Sequence, residues 1–206
     1  MKVSLRRVGS LLLGAVLVMG GAMPVDAQTD RVRAKIGILV KSGDKVMRAK
    51  KKGRIRAGDR IRIYVAPEKS SYVYIVHSDL KTATLLNDEK KQAPNTILTL
   101  PSPQNYYEID GESQKERITI VCSPDKPAEL SQLFKTGPVA HATWAALENR
   151  LTEKGRIDLT QKAEKPFTIA GNVRGGGEAA DPFVAKLKTV SGNSLVVRTY
   201  AFRVKK

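Results

Sequence analysis

Short β-branched and aromatic runs, cut about ten residues apart by turn-forming residues, constrain this chain to a mainly β fold. Residues 36–40 (IGILV) form the first run, and Ser42-Gly43-Asp44 is the turn after it. Residues 60–65 alternate: Ile61, Ile63 and Val65 lie on one face, Arg60, Arg62 and Tyr64 on the other. A period of two is the mark of a strand with one buried face. Residues 72–77 (YVYIVH) are the richest in aromatic and β-branched side chains. Residues 82–86, 97–100, 106–109 and 117–123 continue the series, broken by Asn87-Asp88, Pro94-Asn95, Pro101, Pro103, Asp110-Gly111 and Pro124.

The pattern then changes period. Residues 127–134 read as a short helix ending near Gly137. A second helix is predicted to start at Pro138, a residue suited to a first helical position. Val139, Thr143, Leu147 and Leu151 recur every fourth residue, with Trp144 on the same side. Lys154 and Gly155 supply a basic last turn and a stop. Beyond it, residues 167–170 and 183–190 read as strands, residues 171–181 as the most flexible stretch, residues 191–194 as a turn and residues 195–204 as a long last strand. The expected class is therefore mainly β (α+β): an antiparallel β-sandwich or small barrel with one or two helices packed on one side.

Ahead of this domain stands a segment of another kind. Lys2, Arg6 and Arg7 precede an apolar run over residues 11–18, and Val25-Asp26-Ala27 gives a small-x-small pattern before Gln28. These are the three regions of a secretory signal peptide. The apolar run is shorter than the roughly 20 residues that span a bilayer; an uncleaved anchor is the alternative reading. No cysteine stands at the cleavage position, which argues against a lipoprotein. The expectation is cleavage near Ala27 and a bacterial periplasmic or secreted protein. Its residues 28–206 form one β-rich domain with a helical insert at about 127–154. Residues 28–35, polar and basic, read as a loosely held arm.

Export changes what the charge means. The formal charge is +16, and loss of Lys2, Arg6, Arg7 and Asp26 with the leader leaves +14. Such a balance favours polyanions. For an exported chain these are an anionic envelope polymer or lipid, or an acidic envelope protein, with peripheral membrane contact; nucleic acid is not expected. Between residues 45 and 62 stand nine basic residues (Lys45, Arg48, Lys50, Lys51, Lys52, Arg54, Arg56, Arg60 and Arg62) and one acid, Asp59. Two strands about Gly58-Asp59 would make a basic hairpin, with Arg54, Arg56, Arg60 and Arg62 on one solvated face. Lys50, Lys51, Lys52, Arg54, Arg56, Arg60 and Arg62 are the candidate anion- or partner-binding residues. Arginine adds a bidentate grip on phosphate or carboxylate. A charged edge that blocks sheet-to-sheet aggregation fits the same pattern.

The residues required for catalysis are thinly supplied. Cys122 is the single cysteine, so no internal disulfide forms. It alternates with Ile118 and Ile120 and reads as a buried strand residue. His77 and His141 are too few and too separated for a zinc site. Glu108, Asp110, Glu112 and Glu116 cluster in a turn-rich stretch where exposed acids are ordinary. Arg174-Gly175-Gly176-Gly177 lacks the Lys-Ser/Thr ending of a phosphate loop. Tyr72 and Tyr74 share a strand face with Val76 and read as packing residues rather than a stacking platform. There is no G-x-S-x-G and no H-E-x-x-H. A non-enzymatic interaction module without catalytic residue, metal or cofactor follows. Its alternatives are a structural subunit of an envelope assembly that adds a strand to its partner, and an enzyme whose site is assembled from distant residues.

Residues 58–127, about a third of the chain, resemble a family catalogued as domain of unknown function 4384, found in bacterial exported and multidomain proteins. The matching pieces are Gly58-Asp59 before the alternating strand, Tyr72-Val73-Tyr74-Ile75-Val76 with Asp79, Leu85-Leu86 and Pro94-Asn95. Leu100-Pro101, then Asp110-Gly111 with Glu116 ahead of the run 118–123, complete the series. The chain departs at Leu80-Lys81-Thr82-Ala83, where the family usually carries a glycine. It also departs where the family's aromatic-Pro-Asn is split between Asn87-Asp88 and Pro94-Asn95. The resemblance implies a β-rich accessory domain and carries over no catalytic residue.

Overall fold

A computed structural model describes residues 31–156 and 181–206. The leader, the run 167–170 and Arg174 to Gly177 lie outside the described residues. In chain order the strands are β1 (Val32–Ser42), β2 (Lys45–Arg48), β3 (Lys52–Arg56), β4 (Arg60–Pro67), β5 (Ser71–Ser78), β6 (Thr82–Leu85) and β7 (Lys91–Gln92). Then come β8 (Leu98–Leu100), β9 (Tyr107–Glu108), β10 (Lys115–Ser123), helix α1 (Ala128–Leu133), β11 (Val139–Ala140) and helix α2 (His141–Lys154). A single 3₁₀ turn (Val184–Lys186), β12 (Lys188–Gly192) and β13 (Val196–Lys205) follow.

The strands form two open sheets, a sandwich rather than a closed barrel. Sheet A runs β12-β1-β4-β8, with β2 also on β1 and β9 also on β4. Sheet B runs β11-β6-β5-β10-β13-β3, with β7 on β5. Alternation decides what lies between them. Ile36, Ile38, Ile61, Ile63 and Val65 point inward from sheet A; Val73, Ile75, Ile118, Ile120, Cys122, Val196 and Phe202 point inward from sheet B. All are at most 3 % exposed, so the period of two has done its work on both sheets.

Each sheet is also covered on its outer face. On sheet B, Tyr74, Val76 and Val121 meet Leu130, Phe134, Trp144, Leu147 and Leu151 of the two helices. The helical stripe differs from expectation. Val139 and Ala140 pair with β6, so the helix begins at His141 and not at Pro138. Its buried side is Trp144, Leu147, Glu148 and Leu151, and Thr143 is exposed. On sheet A, residues 181–187 cross over Leu39 and Tyr64, bringing Phe183 and Leu187 onto them. A Cβ on Gly37 would stand 2.6 Å from the Leu187 side chain and 3.2 Å from the Phe183 ring, so a larger residue there would push this cover aside.

Two other expectations change. Val32 and Ala34 are buried, so β1 starts where a loose arm was expected; Glu68 pairs with the intervening Arg33 and masks its charge. Residues 183–190 divide between the 3₁₀ turn and β12, because Phe183 packs downward before the strand begins. Among the described residues no helix is long and apolar enough to cross a membrane.

Candidate functional site

The basic residues do not meet in a hairpin. Strand β3 joins sheet B, pairing in parallel with β13, while β4 joins sheet A beside β1. The turn between them does form: Asp59 accepts a hydrogen bond from the Arg56 amide at 2.8 Å. It turns the chain from one sheet to the other. Arg62, expected on a solvated face, is buried and leaves the candidate set. Its side chain is 8 % exposed, donates to the Asn105 carbonyl at 3.0 Å and to the Tyr64 hydroxyl at 3.3 Å, and lies 3.9 Å over the Tyr106 ring. Asp181 neutralises it at 3.5 Å and also accepts from Tyr64. Burial and the Asp181 bond push the Tyr64 hydroxyl up to about 12. Arg60 pairs with Glu108 at 3.3 Å on the exposed rim.

The other five candidates stay together and gain company. Lys50, Lys51, Lys52, Arg54 and Arg56 are all exposed. In β3, Ile55 points into the core and Gly53 lies over the Phe202 ring, so Lys52, Arg54 and Arg56 point outward. Register then sets like charges side by side: Arg54 beside Arg203, Arg56 beside Lys205, and Lys115 of β10 beside Arg203 from the other side. Adjacent strands lie about 4.8 Å apart. Arg54, Arg203 and Lys115 therefore form a continuous row of positive charge across three strands. None of Lys52, Arg54, Arg56, Lys115, Arg203 and Lys205 is ion-paired with a described acid.

Strand β2 leads into β3 from the edge of the other sheet. Among the described residues this strand pairs only with β1, through a two-residue turn in which Gly43 takes φ 56°. All four of its residues are exposed, among them Val46 at 50 % and Met47 at 49 %. Residues 49–51 step from one sheet to the other: the Ala49 amide donates to Ile38 at 2.8 Å, and Lys51 accepts from the Ala201 amide at 2.8 Å. Strands β2 and β3 are thus consecutive edge strands of the two sheets, joined by this short step.

A different chemistry sits at the rim between the sheets. His77 and Glu116 are hydrogen-bonded at a cavity of about 130 Å³ walled by Ile61, Leu86, Tyr107 and Ile118. Glu116 is only 6 % exposed, not one of a set of solvated acids as its turn-rich surroundings suggested, because it opens β10 with its side chain inward. Its carboxylate holds the His77 pKa above the ordinary value, against the opposing effect of burial. His141 instead hydrogen-bonds Ser78 at 2.6 Å. Cys122 lies fully buried and desolvation pushes its thiol up to about 12, a range where thiolate chemistry is silent. Among the described residues no three His, Cys, Asp or Glu side chains gather to hold an ion.

No known protein family, curated protein or solved structure matches this chain. The resemblance to domain of unknown function 4384 therefore rests on its motifs alone.

Lys115, Arg203 and Lys205 were outside the candidate set drawn from the sequence. A local signal existed: alternation over residues 196–205 sets Ala201, Arg203 and Lys205 on one face. What local pattern does not contain is the parallel pairing of β3 with β13, whose partners stand 149 positions apart at Arg54 and Arg203.

Proposed function

We propose that this is an exported, non-enzymatic accessory module that holds an anionic envelope component through the basic side formed by β3, β13 and β10. The observation that carries it is the row Arg54, Arg203 and Lys115. Like charges directly opposite on a sheet cost stability. Edge protection accounts for charge on β3 alone, the outermost strand. It does not account for Arg203 and Lys205 one strand inside, nor for Lys115 two strands inside. A clustered positive potential without internal acids attracts multivalent anions and weakens with salt.

The test is binding of the purified protein to lipopolysaccharide and to inorganic polyphosphate across a salt series. Neutralising Arg54, Arg203 and Lys115 together is expected to cut affinity at least tenfold and to flatten the salt dependence. Unchanged binding by that variant would remove the row as the site. Among the described residues no strand pairs the outer edges of β2 and β3, which supports a second reading, a structural subunit that takes up a partner strand. It predicts a stable complex that survives high salt.

A further inference from the structure

Resting on that anion-binding reading, we infer that the anion is the headgroup layer of a bilayer, and that β2 is the element that enters it. Four large apolar residues are exposed among the described residues: Val46, Met47, Leu80 and Ile97. Single exposed apolar side chains are ordinary on any surface. Val46 and Met47 are not single. They are neighbours, each about half exposed, and they sit within the densest basic stretch of the chain, between Lys45 and Arg48.

Charge and apolar surface at one place have a specific meaning. A soluble polyanion is satisfied by the charges and gains nothing from Val46 or Met47. A bilayer offers both partners: phosphates at the surface and the acyl boundary a few ångströms below it. Lys45, Lys50, Lys51 and Lys52 reach headgroups on flexible stems, and Val46 and Met47 go beneath. Their orientation fits this use. Val46 lies opposite Lys41 and Met47 opposite Val40, so the two project from the two faces of one edge strand. Immersing the strand end covers both at once. Neither Val46 nor Met47 belongs to the core or packs against it.

The experiment is co-sedimentation of the processed protein, residues 28–206, with vesicles of phosphatidylcholine, with and without phosphatidylglycerol as one third of the lipid, alongside polyphosphate binding. Without the apolar leader, binding to either vesicle reports on β2 and the basic side. Wild type is expected on the anionic vesicles and not on phosphatidylcholine alone. Val46→Thr with Met47→Gln, which keeps size and strand preference, is expected to lose about tenfold on vesicles, near the value of that much apolar burial. Its polyphosphate affinity and melting temperature are expected to stay unchanged. Lys50→Ser with Lys51→Ser and Arg54→Ser is expected to lose both kinds of binding. If the apolar variant binds anionic vesicles like wild type, or wild type takes polyphosphate and no vesicle, the bilayer is not the partner while the anion reading stands. Equal binding to both vesicle types also overturns the bilayer inference, since charge would then be idle. Failure of wild type on both anionic probes removes the anion reading itself.

Discussion

The outer face of sheet B is two surfaces made by the same strands. Under α2, Arg117 of β10 meets the buried carboxylate of Glu148, both contacts at 2.9 Å. Thr119 and Thr199 donate to the same carboxylate at 2.8 and 2.6 Å. Two residues along β10, Lys115 has Arg203 for a neighbour and is ion-paired with no acid among the described residues. The covered part has been given a carboxylate for its cation; the bare part has been left positive. A count of charges along the chain treats Arg117 and Lys115 alike. The fold separates them into a solved electrostatic problem and an open one, and the open one is where a partner is worth seeking.

If the covered part is held by packing, truncating its centre has the largest effect. Trp144 is fully buried against Phe134, ring centroids 5.7 Å apart. Trp144→Ala is expected to cost about 3–5 kcal/mol in urea denaturation. A loss under about 1 kcal/mol would mean that α2 merely rests on the sheet, and the contrast with the bare part would lose its basis. Glu148→Ala comes next, at about 2–4 kcal/mol. It takes the shared acceptor from two hydroxyls that keep only each other and leaves Arg117 unpaired, although that side chain is 34 % exposed and water recovers part of the loss. Glu148→Gln, which keeps the shape and an acceptor, is expected to lose less than half as much.

How much of this contrast was legible beforehand depends on the distance over which it is built. Strand alternation is local, so residues 60–65, 72–77 and 117–123 are recognisable as strands, and Ile61, Ile63, Val65, Ile118 and Ile120 as inward residues. Cys122 belonged to that pattern and lies where it says. Register across the sandwich is not local. Whether Arg62 is solvated depends on Asn105, Tyr106 and Asp181, none of which is near it in sequence. Two arginines of one alternating series, Arg60 and Arg62, thus end respectively on the rim and under the 181–187 crossing. The β3–β13 pairing is equally remote, and local pattern over residues 45–62 points to a hairpin instead. The same limit hid Glu116, whose burial follows from closure of the two sheets around it.

The His77–Glu116 pair offers a pH test of the difference between partnered and unpartnered charge. Its hydrogen bond raises the folded-state pKa of His77 above the ordinary 6.5. The folded protein then holds this proton more tightly than the unfolded chain does. Its contribution is complete below pH 6.5 and fades as pH climbs through the raised value. The melting temperature is expected to fall modestly between pH 6 and pH 8, and His77→Gln is expected to flatten that slope. A slope unchanged in His77→Gln would locate the titrating group elsewhere.

The smallest effect on stability is expected on the bare part, and its sign carries the information. Arg203 lies between Arg54 and Lys115, so it feels repulsion from two strands. Arg203→Ser removes a half of each like-charged pair while the neighbouring Phe202 anchor stays in the core. A gain of about 0.2–1 kcal/mol is expected at low ionic strength, shrinking as salt screens the row. Neutralising Arg117, which has the same charge and lies two residues from Lys115, should move stability the other way, because Glu148 then loses its counter-charge. Opposite signs for two arginine replacements on one sheet face are what a partnered and an unpartnered surface predict. A loss at Arg203 that persists in high salt would show that the guanidinium has a structural partner, and the bare row would no longer be a surface held in reserve for an anion.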